Sequence, residues 1–355
     1  MKKLIFLSYI LIISSCSISN IKFEAIKPAE INIPIDIETV AIVNRSTPKK
    51  NNVAENILDG LFSGEVPGVD KFSSNDCINS LKLKMTNSPR FNLISTVGIE
   101  FKGTGTSEMP KPLKWKKIEN NFKNYDIDAL IVLESFDSSS KVLDLGIKER
   151  KVKVDGNWKN VIEHVAALDI EVQSGWRIYD LKNKKIIDEQ KFFDRKLFEN
   201  SDKTIVRARK GLPEIGYAIS QAAIFSGEQF YFRVSPHYIT INREYYKNLK
   251  NIKGFKIKSD NSNNLFLKAS NYISDNNWRE AVKIWKQLIN HKNKSVVSRV
   301  YFNLALASEA NGKIDIAITW INKSLNLGNN KAKIYRSILE RRKLDLIKLD
   351  KQIVN

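Results

Sequence analysis

The chain predicts a mixed-sheet α/β or α+β amino-terminal domain followed by an all-α helical repeat domain. Three observations lead there. Between residues 36 and 245, short apolar runs alternate with stretches whose apolar residues recur every three or four positions, the pattern of strands alternating with helices. From Leu168 to Ile178 the period shortens to two, and flanking turn residues extend this into a hairpin or meander from about Val142 to Phe193. Beyond residue 262 only the helical period remains, and one stretch overlays another at a spacing of roughly 36 residues.

The leader comes first in the chain. Lys2 and Lys3 make a basic start, Leu4 to Ile13 are largely apolar, and Ser14, Ser15 and Cys16 end the run, the three-part layout of a secretory signal. An apolar run of about ten residues is half of what a permanent membrane span needs. Residues 1–15 are therefore expected to be a removable signal peptide. Ile13-Ser14-Ser15-Cys16 resembles the lipobox of bacterial lipoproteins. That resemblance implies a diacylglyceryl group on the Cys16 thiol before cleavage, and acylation of the new amino terminus after it. Several acyl chains anchor stably where a single one holds only marginally. Ser17 and Ile18 lack the acidic retention signal known in enteric lipoproteins, so the expected address is the cell envelope, at the outer membrane and facing the periplasm. Residues 16–35, with Pro28 and Pro34, read as a tether.

The elements of 36–245 follow in order. "IETVAIVNRS" reads as a buried strand over Val40 to Asn44, and Val53, Ile57, Leu58, Leu61 and Phe62 fall on one helical face. Ser73, Ser74 and Asn75 offer capping oxygens ahead of a second helix carrying Ile78, Leu81 and Met85. "RFNLIS" is a short strand, Trp115, Ile118, Phe122 and Tyr125 mark a helix, and "DALIVLESF" is apolar enough for a central strand. Leu168, Ile170, Val172, Trp176 and Ile178 then alternate with polar residues and Gly175, a half-exposed strand. Asp155-Gly156-Asn157 and "DLKNKK" bracket it as turns of a meander. Ile205, Ala208, Ile215, Ala218, Ile219 and Ala222 form a small-residue helical face, which Pro213 either interrupts or restarts. "QFYFRVSP" reads as a closing strand. The "VAIV" strand, the long "DIEVQSGWRIYD" strand and "FYFRVSP" together resemble the curli-secretion lipoproteins and the TolB amino-terminal domain, over roughly residues 35 to 245. Fold resemblance alone implies no activity.

In the region 262–350, Ala269 pairs with Ala305, Asn276 with Gly312, and Ala281 with Ala317. Small residues at such positions let paired helices approach, and Gly312 supplies a permissive turn. The unit is tetratricopeptide-like, and a plain pair of helical hairpins would look the same over two units. "KAKIYRSILERRKLDLIKLD", broken by Arg341 and Arg342, suits a cap that keeps a stack soluble. The whole arrangement resembles uncharacterised bacterial envelope lipoproteins in which an α/β region precedes tetratricopeptide helices.

Chemistry is sparse. The formal charge of +19 invites nucleic acid as partner, yet the lysines are scattered among asparagine and isoleucine, and an exported chain rarely meets nucleic acid. Anionic lipid or envelope polymer is the sharper alternative to compositional drift. With Cys16 lipidated, Cys77 remains alone and no disulfide framework exists. Cys77, after Asp76, sits where a helix start would stabilise a thiolate, but it also continues an apolar face and reads as a buried structural residue. His164, His237 and His291 lack metal-binding spacing, and His164 reads as a surface or turn residue. "KGTGTSEMP", with Gly103 and Gly105, lacks the following Gly-Lys-Ser/Thr of a phosphate loop and reads as a flexible loop. Glu134 and Asp137 form no dependable carboxylate pair from sequence. Of the six tryptophans, Trp158 beside its turn is the one placed for exposure.

The expected protein is thus a lipid-anchored, non-catalytic protein-binding or scaffold component, without metal, cofactor or nucleic acid, its α/β domain nearest the membrane. Its membrane contact runs through Cys16 and its protein contacts through the helical repeats. A ring-forming subunit of an export or assembly complex, and an envelope hydrolase or polysaccharide-binding protein, are the alternatives.

Overall fold

The computed structural model describes residues 17–48, 68–96, 98–99, 101–252 and 261–353. Cys16 and the helix expected over Val53 to Phe62 lie outside the described residues. The chain divides into two compact units. One is Pro28–His237 with the chain end from Leu349; the other joins the first strand to Tyr238–Lys348.

In the first unit a five-stranded sheet lies between two apolar layers. Its strands are β2 (Thr39–Asn44), β3 (Asn92–Leu93), β4 (Ala129–Val154), β5 (Asn157–Asp180) and β6 (Lys185–Asp202), in the order β3-β2-β4-β5-β6. β2 runs parallel to β3 and β4, while β4, β5 and β6 form the antiparallel meander. The mixed sheet is the expected one. Helices α1 (Val69–Met85) and α4 (Ile215–Val234) cover one face, burying Ile42, Leu133, Ile170, Val172 and Trp176. On the other face α2 (Trp115–Phe122) buries Ile118 and Phe122 against Leu130, Val132 and Tyr179. β5 therefore alternates only as far as Gln173; from Ser174 to Asp180 it is buried on both faces. α3 (Ile205–Lys210) ends at Gly211, and Pro213 separates it from α4.

Two local expectations are corrected. α1 begins a turn earlier than Ser73, with Gly68 in the left-handed region as its cap, and Ser73 and Ser74 are buried inside it. Small side chains are needed there because α1 packs closely on α4: a Cβ at Gly227 would meet the Cys77 carbonyl oxygen at 2.1 Å, and Ser80 Oγ donates to the Ile224 carbonyl at 2.9 Å. The "QFYFRV" run is the end of helix α4, not a strand. Its local strand preference yields to packing: Phe230 stacks on Trp176 with ring centroids 4.2 Å apart, and Tyr231 and Val234 are buried beside it.

The second unit holds five helices among the described residues: α5 (Ser262–Ser274), α6 (Trp278–Gln287), α7 (Lys294–Ala310), α8 (Ile314–Asn326) and α9 (Asn330–Leu349). It also carries a two-stranded sheet of β1 (Ile18–Lys27) and β7 (His237–Tyr246). The stretch expected to be a tether thus contains a strand, and by compactness the chain from Tyr238, nearly all of β7, goes with the helices. The reason is pairing and burial. Lys247 N–H donates to the Ser17 carbonyl at 2.9 Å, and Phe23 packs edge-on to Trp278 with centroids 6.3 Å apart.

Candidate functional site

The repeat residues come together in the helical unit. Ala269, Ala281, Ala305 and Ala317 are fully buried on α5, α6, α7 and α8, within one apolar cluster. Gly312 has φ +72° and its counterpart Asn276 has φ +56°, so both intrahelical turns use the left-handed region that glycine and asparagine tolerate. Small side chains bring each helix pair close, and larger residues are pushed outward between them. On the outside of the α7–α8 pair, Tyr301 and Trp320 stack with centroids 5.4 Å apart. Lys323 Nζ lies 4.5 Å from the Trp320 ring centroid, a cation–π contact. Tyr301 and Lys323, with Lys294, Val297, Asn326 and Leu327, line a groove of about 390 Å³, and Trp320 backs the Tyr301 ring. One flat ring, two aliphatic side chains and two cations suit an extended acidic segment carrying apolar side chains.

Two buried ionic clusters stand apart from the groove, one in each unit. In the first unit Glu134, fully buried, is paired with Arg45 at 2.6 Å and Arg177 at 3.4 Å. The Tyr179 hydroxyl donates to it at 2.5 Å. Burial, aided by the Glu134 charge, pushes the Tyr179 phenol up, which keeps it a donor. The same residues hold the 101–114 loop: Arg45 donates to the Lys111 carbonyl at 3.0 Å, Arg177 to that of Pro110 at 2.6 Å, and Leu113 N–H to Tyr179 Oη at 3.0 Å. Gly103 N–H donates to the Thr47 carbonyl, and a Cβ there would meet the Arg45 carbonyl oxygen at 2.2 Å. The segment expected to be flexible is therefore a pinned loop, and the glycine is there for backbone approach. In the second unit Arg243 on β7 grips Glu309 on α7 through two bonds of 2.9 and 2.7 Å, and the Tyr335 hydroxyl on α9 donates to Glu309 at 2.6 Å. Burial, then the Glu309 charge, holds the Tyr335 phenol well above its ordinary range. Removing one member of such a cluster leaves a buried charge unmatched, at a cost of about 3–5 kcal/mol. Both clusters fasten elements together; neither presents a base or a nucleophile.

Other singled-out residues disperse. Cys77 is buried, and burial with the nearby Asp194 charge pushes its thiol far above the ordinary value, so it is inert. Asp137 lies opposite Gln173 on the sheet, half-buried, its carboxyl pushed up by desolvation. His164 sits on β5 opposite Ile147, in a strand and not a turn; His237 is buried against Phe232; His291 accepts from Asn293 N–H. Trp158 is 70% exposed, while Trp176 and Trp285 are buried. Among the described residues no group of three His, Cys, Asp or Glu is placed to hold a metal ion, and no helix is long and apolar enough to cross a membrane.

Sequence reasoning missed Asn303. Its side-chain amide donates to the Tyr246 carbonyl at 2.7 Å and its oxygen accepts from Tyr246 N–H at 2.9 Å, so one helical side chain completes the end of strand β7. A lone asparagine inside the apolar run "VYFNLALA" was its only signal.

Residues 37–246 match the model of a domain of unknown function, DUF8603. The chain belongs to the DUF8603 family. Residues 267–345 of this DUF8603 member match a second domain of unknown function, DUF6340. Two solved structures show a distant likeness. The hypothetical protein CT253 of Chlamydia trachomatis is 10% identical, over 55% of this chain and 96% of that one, with a TM-score of 0.22. A Helicobacter pylori protein described as a neuraminyllactose-binding hemagglutinin homolog is 11% identical, over 59% of this chain and 83% of that one, with a TM-score of 0.20. No curated protein matches the chain.

Proposed function

We propose that the protein is a lipid-anchored envelope component that binds other proteins through its helical unit and catalyses nothing itself. The observation that carries this reading is the α7–α8 groove, where Tyr301, stacked on Trp320, lies with Lys323 and Lys294. An acidic segment with apolar side chains is the ligand class it fits. The anchor is Cys16 and the address the outer membrane, facing the periplasm; kinship with the curli-secretion and TolB-type lipoproteins belongs to the same proposal and is supported by the order of elements from β2 to α4. Because β1 starts at Ile18 and pairs with β7, the anchor holds the helical unit directly, with little chain between.

A photo-crosslinking residue at Trp320, compared in intact cells with one at Ile334 on α9, tests the groove. Discrete adducts at position 320, lost with Lys323→Glu, are expected; equal labelling at both positions overturns the groove as a binding site. Cys16→Ser should move the protein from the membrane to the soluble fraction, and a membrane-bound variant would overturn the anchor.

A further inference from the structure

β4 and β5, at 26 and 24 residues, are far longer than an ordinary strand of about five or six. β2 flanks β4 only from Ala129 to Leu133, and β6 flanks β5 only as far as His164. From Lys148↔Glu163 to Val154↔Asn157, the two strands therefore continue as a ribbon with no third strand beside it among the described residues. At about 3.3 Å per residue it extends about 23 Å. A register shift between Asp144 and Ile147, with Gly146 at φ +86°, marks its base. Isolated two-stranded ribbons are marginal in water and bury nothing of their own.

This ribbon exposes Leu145, Ile147, Val154, Trp158 and Ile162, with Trp158 beside the Asp155-Gly156 turn at its tip. The ribbon carries five cations, Lys148, Arg150, Lys151, Lys153 and Lys159, against Glu149, Asp155 and Glu163, the last paired with Arg150 at 3.0 Å, a surplus of two positive charges. Opposed residues share a face. Ile147, Lys151, Lys153, Ile162 and Trp158 are on one side; Lys148, Arg150, Val152, Val154 and Lys159 are on the other. Neither face is uniformly apolar, so the ribbon does not suit the wall of a membrane barrel, whose strands alternate apolar-out and polar-in. Cations along both edges also oppose pairing with another strand. A tryptophan ring and short aliphatic groups interleaved with lysines match the headgroup region of a bilayer, where indole is preferred and lysine reaches anionic phosphates.

We infer that the β4–β5 ribbon docks, tip first, at the headgroup level of an anionic lipid bilayer, as a contact separate from Cys16. It does not rest on the groove or on the lipid anchor, since its determinants are the side chains of residues 145–162.

A fluorophore attached at Trp158→Cys in the full chain carrying Cys16→Ser tests it, with the same fluorophore at the exposed Phe193→Cys as reference. Cys77 is buried and stays unlabelled. With phosphatidylglycerol–phosphatidylcholine vesicles, the probe at 158 should brighten, shift to the blue and be quenched by a nitroxide lipid, while the probe at 193 stays unchanged. Lys151→Glu/Lys153→Glu/Lys159→Glu should weaken the apparent partition by about a hundredfold or more, and raised salt should weaken the parent without any substitution. An unchanged probe at 158, an equal response on pure phosphatidylcholine, or insensitivity to salt would overturn the inference. So would a response that grows with protein concentration in the absence of vesicles, which would mean a second copy covers the ribbon.

Discussion

Glu134 and Glu309 solve the same problem in two different units. Each is a buried carboxylate held by arginine and by a tyrosine hydroxyl, and each joins segments far apart in sequence. Such groupings are illegible in a sequence, because Arg45 follows β2, Glu134 lies on β4 and Arg177 and Tyr179 lie on β5, and only the pairing of those strands brings them together. Asp194 is the contrasting case. Its Oδ2 lacks a hydrogen-bond partner, and desolvation, opposed by the Ser226 hydroxyl, raises its carboxyl above the ordinary 3.8. The protonated form therefore favours the fold. Its contribution is complete below pH 3.8 and is lost as pH rises through the raised native value. Asp194→Asn should remove that dependence and stabilise the protein at neutral pH, by an amount on the order of 1 kcal/mol after discounting for solvent screening. Denaturation midpoints of parent and variant between pH 4 and pH 7 check this: the gap should widen upward, and a constant gap would contradict it.

At the scale of elements, spacing-coded features were legible and packing-coded ones were not. Ala269, Ala281, Ala305 and Ala317 could be located because a repeat writes its close contacts at fixed intervals. The FYF stretch could not be placed, since aromatic residues favour strands until a neighbour such as Trp176 claims them for a helix face. Nor does sequence alternation disclose where a third strand stops, which is why the free ribbon of β4 and β5 emerges only from the register. The two turns of the repeat make a controlled comparison. Gly312→Ala places a Cβ in the left-handed region and should cost about 1–2 kcal/mol. Asn276→Gly needs no new backbone conformation and gives up only the exposed bond that Trp278 Nε1–H donates to Asn276 Oδ1 at 2.8 Å, so it should cost less, about 0.5 kcal/mol. Thermal melts of the two variants measure the difference, and equal losses would contradict the assignment of strain to φ.

For the whole molecule, the order of units along the chain matters more than their identity. The sequence showed an α/β region followed by helices, and the structure keeps that order. What it could not show is that a short segment near residue 20 belongs with helices more than two hundred positions later, because strand pairing leaves no mark of partner identity in either strand. Gln352 forms the reverse link: its amide donates to the Ile31 carbonyl at 3.1 Å and its oxygen accepts from Ala29 N–H at 2.8 Å, within the first unit. Deleting residues 18–27 should therefore lower the melting temperature of the helical unit while the sheet unit, followed by near-ultraviolet signal from Trp176, melts as before. Loss of both together would show that the strand supports more than its own unit.

The pairing of β1 with β7 also bears on how the protein is made. A ribosome delivers β1 roughly 210 residues ahead of its mate, at rates that leave it alone for about ten seconds or longer. During that wait an unsatisfied edge carrying Ile21 and Phe23 is open to whatever holdase attends nascent chains. Completion of the helical unit is thus tied to the last third of synthesis.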